Sequence, residues 1–131
     1  MTKTRSELRE KCMIILYQYE IMNTGKTKTQ IEEIIKDNIE VENEFVNTIV
    51  KGVLDHIEEL NTLANRYMTD WTIDRIDKIG SAILRVAIYE LKYTDTPEVV
   101  VINEAIELAK KYCDDNIKKM INAILDKIIK E

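Results

Sequence analysis

Residues 76–91, IDKIGSAILRVAIYEL, constrain the chain more than any other stretch. Stepped at about 100° per residue from Ile76, they place Ile79, Ala82, Ile83, Val86, Ala87 and Glu90 on one face, with Leu84 and Leu91 at its edge. That apolar arc is wider than a surface helix needs, which predicts a helix covered by neighbours on most sides. Gly80, Ser81, Ala82 and Ala87 are small enough to let those neighbours approach closely. Glu90 is the exception, a carboxylate projected into the middle of the apolar face. Left unpaired in an interior it would be costly, so it must be hydrogen-bonded, ion-paired or protonated. Two roles are open to it, a structural tether between helices or a catalytic acid, and the tether is the simpler.

The rest of the chain is written in the same helical idiom. Apolar residues make up 45% and charged residues 33% of its 131 residues, with one proline and three glycines. So few breakers beside so much Ile, Leu, Lys and Glu predict a mostly helical protein, and the length suits one domain with a real core. No apolar run reaches the roughly 18 residues of a membrane span, and the N-terminus lacks the apolar region of a signal peptide. A cytoplasmic protein without a membrane partner is expected. Cys12 and Cys113 stand far apart, with no CxxC and no histidine cluster, which argues against zinc and against a disulfide in a reducing compartment. A net charge of −5 excludes nucleic-acid binding over the whole surface but leaves room for a local basic patch.

Taken in order, the first helix opens on Thr4-Arg5-Ser6-Glu7, the spacing of a capping box. Leu8, Cys12, Ile15, Leu16, Tyr19 and Met22 follow at helical intervals, and Asn23-Thr24-Gly25 closes the helix. Off that stripe lie Lys3, Arg5, Arg9 and Lys11 against only Glu7 and Glu10. Cations at a helix start oppose the helix dipole and hint at an external anion. A short second helix, capped by Thr29, carries Ile31, Ile34 and Ile35. A long third helix, about residues 42–67, has the stripe Phe45, Ile49, Val53, Leu60 and Leu63, with Gly52 marking a helix crossing and His56 a core or edge histidine.

Thr69-Asp70-Trp71-Thr72 interrupts the pattern and divides the domain into halves of about 1–68 and 70–131. Asp70 or Thr72 is expected to cap the next helix, and Trp71 to wedge between the halves. Tyr93-Thr94-Asp95-Thr96-Pro97 is a loop. Val99-Val100-Val101-Ile102 has strand composition but runs directly into NEAIELAKKY with no partner strand, so a helix is expected from Val99 or Val100. The last helix covers about Asn116 to Lys130, with Ile117, Met120, Ile121, Ile124, Leu125 and Ile128 inward.

Catalytic constellations are missing: there is no glycine-rich phosphate loop, GxSxG, HExxH or acidic metal cluster. Neither an enzyme nor a cofactor-bearing or metal protein is expected. The residues alone describe an all-helical interaction domain with one basic end.

A resemblance says more. Arg9-Glu10 with Leu16-Tyr17, then Val50-x-Gly52-Val53, then Ile83-Leu84-Arg85-x-Ala87-x-Tyr89-Glu90-Leu91, then the run from Ile102 to Lys110, INEAIELAK, and finally Asn122-x-x-Leu125-Asp126 occur in that order over nearly the whole chain. Together they resemble the NusB family of bacterial transcription antitermination factors. LRxAxYEL followed by INEAIELAK is the most specific part.

The resemblance implies an all-α fold of about seven helices in two packed helical subdomains. It implies binding of boxA-type single-stranded RNA in the leaders of ribosomal RNA transcripts, together with NusE, a ribosomal protein of the small subunit. It further implies entry into an RNA polymerase antitermination complex with other Nus factors, with no reaction catalysed. The expected RNA-binding residues are Lys3, Arg5 and Arg9 at the basic start of the first helix, Tyr17 further along it, and Lys118 and Lys119 at the start of the last. Ser6 and Glu7 stand where many members carry arginines, Met120 replaces an aromatic, Ala123 a glycine, and Gly80 an acidic residue that some relatives have. Tyr, Met and Ile side chains could also support a homodimer.

Two other readings share these residues. A NusB-like domain forms part of some ribosomal RNA methyltransferases, but their catalytic domain does not fit within this length. A helical protein-binding scaffold that no longer recognises RNA would agree with Ser6, Glu7 and the acidic net charge.

Overall fold

A computed structural model describes residues 3–23 and 30–131. They form seven helices: α1 (Arg5–Met22), α2 (Ile31–Asn38), α3 (Glu44–Asp55), α4 (Ile57–Arg66), α5 (Lys78–Tyr93), α6 (Glu98–Tyr112) and α7 (Asp115–Ile129). Among the described residues there is no strand, so the all-α expectation holds, and Val99–Ile102 is helical. Among the described residues, no helix is long and apolar enough to cross a membrane.

α5 is the axis. Every residue from Gly80 to Glu90 is buried, as an apolar surface running round the whole helix requires. α1, α3, α4, α6 and α7 all pack on it. Two close approaches use glycine. A Cβ built on Gly52 of α3 would lie 2.3 Å from the Tyr89 ring of α5, and one on Gly80 would lie 2.9 Å from Ile117 Cγ2 of α7. The crossing expected at Gly52 is thus between α3 and α5. Alanine at 52 would gain about 1 kcal/mol of helix propensity but must displace a buried aromatic ring, at an overpacking cost of about 1–3 kcal/mol. We expect Gly52→Ala to destabilise the protein in urea titrations, and the sign to reverse in a Tyr89→Leu background. An equal effect in both backgrounds would contradict the contact.

The helix ends follow local chemistry. Thr4 and Glu7 form the expected capping box, with Glu7 N donating to Thr4 Oγ1 and Thr4 N to Glu7 Oε1, each at 3.1 Å. The Thr4 backbone N–H first, then the Thr4 side chain, hold the Glu7 carboxyl below its ordinary pKa. Asn43 caps α3 and Asp114 caps α7. The caps expected from Gly25 and Thr29 lie outside the described residues.

Three expectations are corrected. The long third helix is two, because His56 adopts φ −114° and ψ 20° between α3 and α4, in the sparsely allowed bridge region. Hydrogen bonds continue on either side of it, His56 N to Gly52 O and Leu60 N to His56 O, while its ring stacks on Tyr93 at 4.3 Å. It is an edge histidine. The helix after the divide is capped by Asp77, which accepts from Gly80 N at 3.1 Å, and not by Asp70 or Thr72. Trp71 is no wedge: it is 56% exposed. Ile73 takes the interior position, held by its N–H to Asn65 Oδ1 at 2.7 Å and its carbonyl from Ser81 Oγ at 2.6 Å.

Buried charge crosses between helices at two points. Arg85 of α5 donates to Asn61 of α4, Glu20 of α1 and Asp74 of the connecting loop, at 2.9, 3.3 and 3.1 Å. The second point is Glu90.

Candidate nucleic-acid interface

Glu90 is 1% exposed and meets the equally buried Arg9 of α1. Arg9 Nε donates to Glu90 Oε2 at 2.8 Å and Nη2 to Oε1 at 2.9 Å, a two-pronged pair. Thr96 Oγ1 adds a third hydrogen bond to Glu90 at 3.2 Å. Glu104 of α6 lies 3.7 Å from Arg9 Nη1 and accepts a hydrogen bond from the Ser6 hydroxyl. Burial by itself would lower the Arg9 pKa, but the Glu90 carboxylate outweighs it and holds the pKa up. Glu90 is therefore ion-paired and hydrogen-bonded, the tether that joins α5 to α1. Arg9, expected on the basic outer face of α1, instead lies inside the protein, 4% exposed and paired with Glu90.

The other five residues are distributed around α1, α6 and α7. Arg5 is exposed, with its guanidinium 4.2 Å over the centre of the Phe45 ring, close enough for a cation–π contact. Lys3 and Lys11 line a groove of about 540 Å³ between the start of α1 and residues 38–43. Neither they nor Arg5 has a carboxylate partner among the described residues. Tyr17 is half-buried against the core, roughly 18 Å further along α1 than Arg5.

On the far side of α1 lies an acidic groove with Ser6, Glu7 and Glu10 on one wall and Glu104, Glu107, Lys110 and Lys111 of α6 on the other. Glu10 accepts from Lys111 Nζ at 2.6 Å and from the Tyr112 hydroxyl. Lys111 first, then Tyr112, hold the Glu10 carboxyl below its ordinary pKa. Across α6 a second groove contains Lys118 and Lys119 of α7 with Lys110 of α6. Lys118 pairs with Asp115 at 3.6 Å, and Lys119 is exposed without a carboxylate partner among the described residues. The structure thus brings Lys118 and Lys119 into one groove, with Lys3 and Arg5 apart from it at the start of α1 and Tyr17 further along that helix.

Three participants escaped the sequence reading. Lys110 and Lys111 ended a motif noted only for its resemblance, although adjacent lysines in a last turn could have marked them. Phe45 was counted as core stripe, and its pairing with Arg5 has no signal in spacing. Among the described residues, no group of three or more His, Cys, Asp and Glu side chains could hold a metal ion. Both cysteines are free; burial pushes the Cys113 thiol up to about 12, helped by its contact with Asp77.

Comparison with known proteins follows the same path. Residues 6–130 match the NusB family. The chain is 40% identical over 128 residues to the transcription antitermination protein NusB of Staphylococcus aureus (strain JH9), covering 97% of this chain and 99% of the relative. Among solved structures, T. maritima NusB has a TM-score of 0.89 at 30% identity, over 100% of this chain and 94% of that one. A chain in the crystal structure of antitermination factors NusB and NusE in complex with dsRNA has a TM-score of 0.83 at 24% identity, over 99% and 98% of the two chains, which shows the shared fold. The match over nearly all its length makes this chain a member of the NusB family, whose proteins are transcription factors and not enzymes.

Proposed function

We propose that the chain acts in transcription antitermination by binding boxA-type single-stranded RNA of ribosomal RNA leader transcripts together with NusE. The bound pair then enters an RNA polymerase antitermination complex with other Nus factors. The full-length match to an antitermination protein carries this reading. The NusB–NusE–dsRNA crystal structure gives a precedent on the same fold for NusE and for RNA, there double-stranded.

The side chains supply a physical route. Single-stranded RNA is held by cations on its backbone and by stacking or edge contacts to splayed bases. Lys3, Arg5 and Lys119 are exposed cations without a carboxylate partner among the described residues, and Lys118 is held only by a neighbour on its own helix. They are the backbone contacts in this reading, and Tyr17, further along α1, would meet a separate part of the RNA. Arg9 is not among them, since its guanidinium is spent on Glu90. It serves RNA only by fixing α1, and so Arg5, against α5.

The test is transcription in vitro through a terminator placed downstream of a boxA-bearing leader, with RNA polymerase, NusE and the other Nus factors. Readthrough should rise when this protein is added and return to background when boxA is scrambled. Equal readthrough on both templates would overturn the reading.

A further inference from the structure

The groove between α6 and α7 has a composition that phosphate binding alone does not explain. It measures about 480 Å³, within the range of roughly 300–1,000 Å³ that small ligands occupy. Lys110, Lys118 and Lys119 supply its cations. Between them stand two carboxamides, Asn103 of α6 and Asn122 of α7, and an apolar floor from Ile102 and Ile106. Glu107 is the one acidic side chain lining it, and Lys110 holds it at 3.4 Å. Both asparagines are exposed, and neither amide has a hydrogen-bond partner among the described residues. A carboxamide presents a donor and an acceptor side by side, the pattern that matches a base edge. Ile102 and Ile106 offer a face against which a flat ring can lie.

We infer that this groove is a base-reading subsite. One unstacked nucleobase of the RNA lies against Ile102 and Ile106, its edge met by the Asn103 and Asn122 amides, while Lys110 and Lys119 hold the flanking phosphates. This rests on the RNA-binding reading above. It adds Lys110, Asn103 and Asn122 to the interface and gives the start of α7 a share in sequence choice. Division of labour follows from chemistry: lysines respond to the backbone of any RNA, whereas amides respond to one base.

The experiment is a set of titrations of this protein with NusE against a boxA-type RNA and a series in which each nucleotide in turn is abasic. Wild-type protein should lose about tenfold in affinity at one position, the scale of a good edge contact. In N103A/N122A that position should become indifferent, with affinity for the RNA abasic there unchanged and the salt dependence unaltered. K110Q should instead weaken all the RNAs alike and flatten the slope of log affinity against log salt by about 0.7, one phosphate contact on a single strand. All three side chains lie on the surface of the groove, so melting curves should stay superimposable. A wild type that prefers boxA-type RNA over a scrambled one, yet keeps the same position profile in N103A/N122A, overturns the subsite and leaves RNA binding standing. A wild type without that preference overturns both.

Discussion

Arg9→Ala should unfold this protein far more easily than any exposed arginine change. The substitution strands the Glu90 carboxylate in an interior where it is 1% exposed, with only Thr96 Oγ1 left as a side-chain donor. Breaking one side of a buried ion pair costs about 3–5 kcal/mol, which for a chain of this length lowers Tm by on the order of 10–20 °C. Replacing both partners with apolar residues removes the stranded charge. Arg9→Leu with Glu90→Leu should therefore be more stable than Arg9→Leu alone, a coupling read from a double-mutant cycle. Arg5→Ala, whose side chain rests on the surface of Phe45, should move Tm by no more than a few degrees. If Arg9→Ala and Arg5→Ala melted alike, the pair would not be the clamp that holds α1 on α5.

The same substitution separates structure from recognition. Well below its melting temperature, Arg9→Ala should keep the salt slope of RNA binding, because the guanidinium faces Glu90 and Glu104 and not solvent. A phosphate contact would show as a flatter slope at every temperature.

How far the fold could be read in advance depended on whether a feature was local. α5 was legible because its apolar arc is wider than a surface helix needs, and the Thr4–Glu7 box because both its hydrogen bonds lie within one turn. The helix from Glu98 followed from the lack of any strand partner for Val99–Ile102. Features that depend on a distant partner were not legible. Arg9 was assigned to the polar face by residue type, although Cys12, Met13 and Leu16 stand three, four and seven residues on, all buried, so that Arg9 shares their face. Two buried charges of opposite sign, one on each of two apolar helix faces, were the available signal. The break at His56 and the outward turn of Trp71 depend on tertiary contacts of His56 with Tyr93 and of Ile73 with Asn65 and Ser81. No spacing rule encodes those.

For the interface, the resemblance supplied positions and the structure sorted them. In the proposed reading, exposed Lys3, Arg5 and Lys119 and half-exposed Lys118 are the backbone contacts, while Arg9 is buried and Lys110 of α6 lines the groove that holds Lys118 and Lys119. The acidic α1–α6 groove lies beside the basic α6–α7 one, and two of its carboxylates are already committed: Glu7 to its own helix cap, and Glu10 to Lys111 and Tyr112. In the reading proposed above, each of the cations assigned to the RNA backbone should count. Arg5→Ala, Lys118→Ala and Lys119→Ala together should flatten the salt slope by about 2, roughly 0.7 for each phosphate contact on a single strand. The lost affinity should be large at low salt and small at high salt, with Tm nearly unchanged.

The most direct measurement is therefore a titration of boxA-type RNA with this protein, alone and with NusE, at a series of salt concentrations, beside the triple variant and a scrambled RNA. Binding should be tighter with NusE than without it, weaker for the scrambled sequence, and steeply salt-dependent in the wild type, with the slope reduced in the triple variant. Affinity that is indifferent to NusE and to sequence, or a slope that survives the loss of all three cations, would contradict the assignment of RNA recognition to this face.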